Sequence, residues 1–333
     1  MPFTLSHAAA VLPAVRRTGE ARGRLVASAL VAGALAPDMT YYADSVVPGG
    51  MAFGAVTHAW WGVPTVDVSI SVALVCGWLL LREPLLVWLP RAWRGRVYGV
   101  VRGHPWQPQG WRELAALCGW FVLSAVLGSA THVVWDAFTH PGRWGTRLVP
   151  GLDGELGGWP VATYVQYGTS LPALAVTVWF VWSALRRRGG GGEVPAGVRP
   201  FVVAELTGRD RLLLGALVAV GVLGGVVHRV LRAHAVYGGA AGWFSYVPTA
   251  LFGTGAGLVL GLLVCAVAVR LLVRRARPDG PNGAAAAGAP AGAATDGATD
   301  GATAAPADPV PGPPADTAAD AAAGPSAVAS TAD

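Results

Sequence analysis

Lysine is missing from this chain: all 24 of its basic residues are arginine. Charge of either sign is sparse, at 13% of 333 residues, where soluble domains carry about 25%. With 53% hydrophobic residues and a mean hydropathy of +0.48, this composition excludes an ordinary water-soluble domain and indicates an integral membrane protein. Basic residues are absent from 278–333, which holds seven aspartates, so the formal +5 conceals a body near +12. In a membrane protein such an excess of arginine marks cytoplasmic loops, and a nucleic-acid partner is not expected. Cysteine is nearly absent too. Cys76, Cys118 and Cys265 each lie inside an apolar run, at spacings that match no metal motif, and read as small buried apolar residues.

What the chain does have is apolar runs of bilayer length, which takes about 20 residues. Five qualify: 65–81, 114–135, 161–185, 212–231 and 246–273. Asp67, near the start of the first, is tolerable at a membrane interface. The intervening loops alternate in charge. Segments 82–112 and 186–211 carry six arginines each and 270–277 carries four, whereas 136–160 carries two and 37–64 none. The positive-inside rule places the arginine-rich loops and the C-terminal end in the cytoplasm, and 37–64 and 136–160 outside. Arg229 and Arg232, near the outer end of 212–231, fit this pattern less well. Trp111, Trp135, Trp159 and Trp243 lie near run ends, as an interfacial aromatic belt requires.

Residues 278–333 are almost entirely Ala, Gly, Pro, Asp and Thr, too poor in apolar side chains to form a core, and are expected to be a disordered tail. The G-G-G-G at 189–192 reads as a flexible linker: no strand precedes it and no G-K-[ST] follows. His104 sits in an Arg- and Pro-rich loop and is expected to be solvated. The fold class is therefore all-α: a polytopic membrane helix bundle over 1–277, with five spanning helices plus whatever 1–42 adds, followed by the tail.

The first 42 residues admit three arrangements. Residues 5–15 form one short helix, with Thr4 or Ser6 as N-cap, and 25–36 a second, ended by Pro37-Asp38. As an antiparallel hairpin these would bring His7 beside Asp38. As a single sixth span from about 25 to 42 they would strand His7 on the opposite face. A cleaved signal peptide is the third arrangement, opposed by the long N-terminal flank and by proline directly after the cleavage site.

The densest polar chemistry is at 131–140, T-H-V-V-W-D-A-F-T-H. On a helix His132, Asp136 and His140 fall at i, i+4 and i+8 and present imidazole, carboxylate and imidazole on one face. These are zinc-type ligands. Eight helical residues rise about 12 Å, too far for His132 and His140 to share one ion. His132 and Asp136 can share one, while His140, just before Pro141-Gly142, can turn toward a second. His58, in T-H-A-W-W-G, and Asp38 fall on the same outer side, and His7 joins them in the hairpin. Such a ligand set suits two divalent ions about 3.5–4 Å apart, which would acidify a bound water and stabilise both oxygens of an ester displacement. Gln166 and Tyr164, opening the next helix, are placed to hydrogen-bond a ligand histidine. His228 and His234 are read as structural.

M-P-F-T-L-S-H-A-A-A-V-L-P at the start, A-L-A-P-D at 34–38, T-H at 57–58 and S-A-T-H-V-V-W-D-A-F-T-H at 129–140 resemble a bacterial integral-membrane family. It is the one catalogued as domain of unknown function 4184. That family is similar to bacterial membrane-bound metal-dependent hydrolases and, more distantly, to the zinc-dependent phospholipase C and P1 nuclease group. The resemblance covers 1–185. It implies His7, Asp38, His58, His132, Asp136 and His140 as metal ligands and favours the hairpin. Y-V-Q-Y-G-T-S at 164–170 is a further element, in which Tyr167 stands where a histidine is expected.

Two functions follow as expectations. The first is a hydrolase in the bacterial cytoplasmic membrane with an outward-facing divalent-metal site whose ligands suit zinc, acting on a lipid or lipid-linked phosphoester. The second is a non-enzymatic membrane protein (transporter, sensor or assembly factor) with a structural metal site. The interiors of four of the five runs carry almost no ionisable residues, which disfavours transport.

Overall fold

The computed structural model describes residues 4–103, 106–187, 198–238 and 242–275. His104, the glycines at 189–192 and the tail 278–333 lie outside the described residues. The chain begins with three consecutive helical turns: Thr4–His7, α1 (Ala8–Val11) and Leu12–Ala14. Pro13 has no N–H to continue an α-helical ladder, and the last turn tightens there. A turn closed by backbone pairing of Val15 with Ala21 leads into α2 (Ala27–Leu35). Pro37 interrupts this second helix in the same way. The chain tightens through Ala36–Asp38 before resuming as α3 (Met39–Ala43), and Asp38 faces inward, fully buried. The N-terminal segment is thus a hairpin of short helices and not a sixth span, with Val11, Val15, Leu30 and Ala34 packed between its arms.

Residues 39–64, expected as a loop, contain α3 and a further helix, α4 (Gly50–Thr57). Gly49, at φ 92°, makes the sharp entry into α4. The first span, α5 (Val66–Leu85), continues as a tight turn to Trp88. An amphipathic helix, α6 (Arg91–Arg102), precedes the second span, α7 (Trp111–Thr139). After the short α8 (Trp144–Leu148) and a two-stranded hairpin of β1 (Glu155–Leu156) and β2 (Trp159–Pro160) come α9 (Val161–Arg187), α10 (Arg199–Val203), α11 (Gly208–Tyr237) and α12 (Val247–Arg275). Among the described residues five helices are long and apolar enough to cross a membrane, as expected, each longer than its apolar run. Their large apolar side chains face outward, among them Val178, Leu212, Val220 and Val267. In water this would be one continuous aggregation surface, and in lipid it is the solvated face.

The arginine-bearing ends of the spans collect at one end of the bundle. Arg94, fully buried in α6, donates to the carbonyls of Val87, Leu89, Val202 and Ala204 at 2.6–2.9 Å, tying the ends of α5 and α10 together. Arg270 of α12 donates to the Leu80 carbonyl on the same side. At the opposite end, Arg229 and Arg232 of α11 have a clear purpose. Arg229 pairs with the Asp44 carboxylate, and Arg232 donates to the Asp44 carbonyl at 2.6 Å. Asp67, the second residue of α5, is fully buried in the bundle, accepting from Ser129 of α7 at 2.5 Å. One other expectation is corrected. Cys76 and Cys118 lie on the outer surface of the bundle, and only Cys265 is buried.

Backbone proximity holds two helix pairs. A Cβ on Gly33 of α2 would lie 2.2 Å from the Ala125 carbonyl, and one on Gly128 of α7 2.2 Å from the Leu30 carbonyl, so these helices cross at bare backbone. In α11 and α12, Gly221, Gly225, Gly253 and Gly257 interlock the same way, the spacing of four that membrane helices use for close approach. Gly225→Val would place its Cβ 2.1 Å from the Gly253 carbonyl, whereas a Cβ at the adjacent Gly224 meets nothing within 4 Å. Thermal unfolding in detergent should therefore show Gly225→Val well below wild type and Gly224→Val close to it. Equal melting points for the two variants would contradict this packing.

Candidate metal centre

The site is assembled at the end of the bundle away from the arginine-rich loops, around the last two turns of α7. His132 and Asp136 are fully buried there. The bare crossing at Gly33 and Gly128 brings the Ala34 carbonyl 2.7 Å from His132 Nδ1. A carbonyl only accepts, so Nδ1 carries a proton and Nε2 is aimed inward. His58 is held by the same device: its Nδ1 lies 2.9 Å from the Gly54 carbonyl. Thr57 donates to the Pro37 carbonyl at 2.8 Å, which pins the end of α4 against the turn bearing Asp38. Thr4 donates to Asp38 Oδ2 at 2.6 Å, leaving Oδ1 facing the centre.

The freed atoms meet. His132 Nε2 lies 3.5 Å from Asp38 Oδ1 and 3.6 Å from Asp136 Oδ2, and His58 Nε2 lies 3.8 and 3.2 Å from the same two oxygens. Ligand atoms of Asp38, His58, His132 and Asp136 all fall within 4.8 Å of one another. His7 stacks on His132 with ring centroids 3.8 Å apart, its Nε2 3.4 Å from the other oxygen of Asp136. Burial first, and then the neighbouring His132, pull the His7 imidazole down to about 3, so it is neutral. His140, the first residue past α7 and extended in backbone, turns its Nε2 to the Gln166 amide at 3.3 Å, while its Nδ1 lies 3.8 Å from Asp136 Oδ2. Burial pulls its imidazole down as well.

The electrostatics of this centre are unusual. Asp38 Oδ1, both Asp136 oxygens, and the Nε2 atoms of His58 and His132 are buried with no hydrogen-bond partner among the described residues. With both imidazoles neutral each is an acceptor, and acceptors facing one another in a dry interior are costly. A cation among them removes that cost. The buried His/Asp cluster can therefore hold a metal ion, and its donors are the mixed imidazole and carboxylate set that zinc accepts at four-coordinate sites.

A cavity of about 310 Å³ opens onto the cluster, lined by Tyr41, Met51, Asp136, His140, Arg143 and Phe252. Arg143 lies beside the Tyr41 hydroxyl. Burial, and then the Asp38 carboxylate, push the Tyr41 phenol up to about 12, so it remains a donor. Asp38, His58, His132 and Asp136 thus meet in one place, and His7 and His140 border them beside Asp136. Tyr164 does not join them: its hydroxyl donates to the Leu156 carbonyl at 3.0 Å, on the β-hairpin. His228 and His234 are exposed on α11, and His234 faces Tyr246. The carbonyls of Ala34 and Gly54, the glycines that admit them, and Arg143 and Tyr41 at the mouth were not evident in the sequence. The small residues around Ala34, A-G-A-L-A, were the available signal for a close helix crossing.

The family model for Domain of unknown function (DUF4184) matches residues 1–267. The chain belongs to this family. No curated protein and no solved structure matches it. The DUF4184 match runs well past the 1–185 stretch that carries the motifs, through α11 and most of α12. Those helices supply Arg229, which fixes Asp44 beyond α3, and Phe252, which packs on Tyr41 and Tyr42, so the whole DUF4184 region frames the centre.

Gly33→Val leaves every polar side chain of the centre in place but drives α2 off α7 and the Ala34 carbonyl off His132. Chelator-competition titration should show divalent-metal affinity weakened by about 10- to 100-fold, the usual cost of losing a partner that orients a ligand. Unchanged affinity would mean the crossing does not set the histidine.

Proposed function

We propose that this protein is a membrane-embedded metal-dependent hydrolase of phosphoesters, with His7, Asp38, His58, His132, Asp136 and His140 as its metal ligands. The observation that carries the reading is the set of buried acceptor atoms converging on one volume that a cavity reaches. Asp136 turns one oxygen toward His58 and His132 and the other toward His7, an arrangement that suits a carboxylate shared between two ions. Divalent ions held there, zinc by donor chemistry, would supply Lewis acidity and a water acidified toward neutral pH.

The remaining chemistry belongs to the chain. Arg143 and Tyr41 place a cation and a hydroxyl donor at the mouth, where a phosphoester's anionic oxygens would sit. Met51 and Phe252 offer an apolar wall to the remainder of the substrate. Because the centre lies about 10 Å inside the end of α7, a lipid or lipid-linked phosphoester can approach laterally from the bilayer. The arginine-poor loops around the mouth favour an extracytoplasmic orientation. A structural ion in a non-enzymatic membrane protein would call for a closed shell, whereas Asp136 and His140 line a cavity.

Purified protein should contain at least one divalent ion per chain, and His132→Ala and Asp136→Ala should lose it while eluting as folded protein. Wild type should turn over members of a phosphodiester and phospholipid panel. Arg143→Ala should keep its metal and raise KM by about tenfold or more, the loss of one charged hydrogen bond, with partial recovery in Arg143→Lys. Full metal content in both ligand variants would remove the metal site. Full metal in wild type with no turnover across the panel would leave the structural-ion reading.

A further inference from the structure

At the opposite, arginine-rich end, α2 is only nine residues long and cannot fill the bundle. The turn before it folds against α6, with Gly19 so close that a Cβ there would lie 1.8 Å from the Val100 carbonyl. Between α2, α5, α6 and α7 this leaves a groove of about 1150 Å³. Its floor is apolar, built from residues such as Val31, Leu35, Leu74, Trp78 and Leu117, and its rim carries Arg16, Arg24, Arg82 and Arg102 against the single acid Glu20. Among the described residues no carboxylate pairs with Arg16, Arg24 or Arg102. Arg82 has only its neighbour Glu83, at 3.7 Å, and its Nε is buried with no hydrogen-bond partner.

We infer that this groove is a binding site for an anionic phospholipid, its acyl chain on the apolar floor and its headgroup phosphate among the four arginines. The argument is charge complementarity. A purely apolar groove in a membrane takes any lipid, but one rimmed by four cations and one anion distinguishes headgroups. Basic pockets between spanning helices are the usual form of such recognition. The buried, unpartnered Arg82 Nε adds a donor that a phosphate oxygen would satisfy. The site is separate from the His/Asp centre and does not depend on the proposed hydrolysis.

The test is native mass spectrometry of the full-length protein in neutral detergent, titrated with phosphatidylglycerol or with phosphatidylcholine of the same chains. Wild type should retain one phosphatidylglycerol at concentrations about tenfold below those needed for phosphatidylcholine. Glycerol phosphate, which lacks chains, should not displace it. The double variant Arg24→Gln/Arg102→Gln should bind the two lipids alike, while Arg112→Gln, at the same end but outside the groove, should behave as wild type. Leu74→Trp, which fills the floor without touching charge, should weaken both lipids. Should the double variant not fold, 1 M NaCl on wild type serves instead and should abolish the headgroup preference. Equal binding of both lipids by wild type, displacement by glycerol phosphate, or a preference that persists in the double variant or in salt would overturn the proposal.

Discussion

The structure depends on two buried histidines held face to face with two buried aspartates. Two histidines have committed their Nδ1 protons to main-chain carbonyls, and their Nε2 atoms face two aspartates across 3.2–3.8 Å. Sequence features that look unrelated all serve this arrangement. Gly33 and Gly128 let α2 touch α7 so that Ala34 can reach His132. Pro37 breaks α2 so that Asp38 turns inward, and Thr4 and Thr57 lock that break in place.

A site of this kind explains why half-length helices are tolerated in a membrane bundle. The arms of the N-terminal hairpin are too short to span, and their small side chains bury modest apolar area. Their ends carry His7 and Asp38, so an ion bound at the centre would add its binding energy to whatever packing they achieve. The α11–α12 pair takes part from outside. Among the described residues it contributes no atom to the cluster, but Arg229 and Arg232 hold Asp44, and Phe252 supports Tyr41 and Tyr42, so the segment that carries the aromatic mouth is fixed to a helix pair in close glycine contact.

Much of this was legible in the sequence, because hydropathy and arginine placement respond directly to the bilayer. The five spans were visible for that reason, as was the clustering of His58, His132, Asp136 and His140 on one side. The helical i, i+4 spacing made His132 and Asp136 partners before any coordinates. Less legible were features set by main chain alone. A carbonyl such as that of Ala34 has no letter of its own, and Ser129, the partner that meets buried Asp67, is 62 positions away. The same holds for Arg229, whose role depends on Asp44, 185 residues earlier. Helices α3 and α4 were hidden by aromatic and glycine-rich composition that reads equally as loop.

The central claim is that a cation occupies the space between these side chains. Anomalous diffraction from crystals of the purified protein, recorded at the absorption edge of whichever divalent metal it carries, addresses that directly. The account predicts a peak about 2.0–2.2 Å from His58 Nε2, His132 Nε2 and the facing oxygens of Asp38 and Asp136, the distances expected for zinc. A map with no peak there, and with the imidazoles hydrogen-bonded directly to the carboxylates, would contradict it.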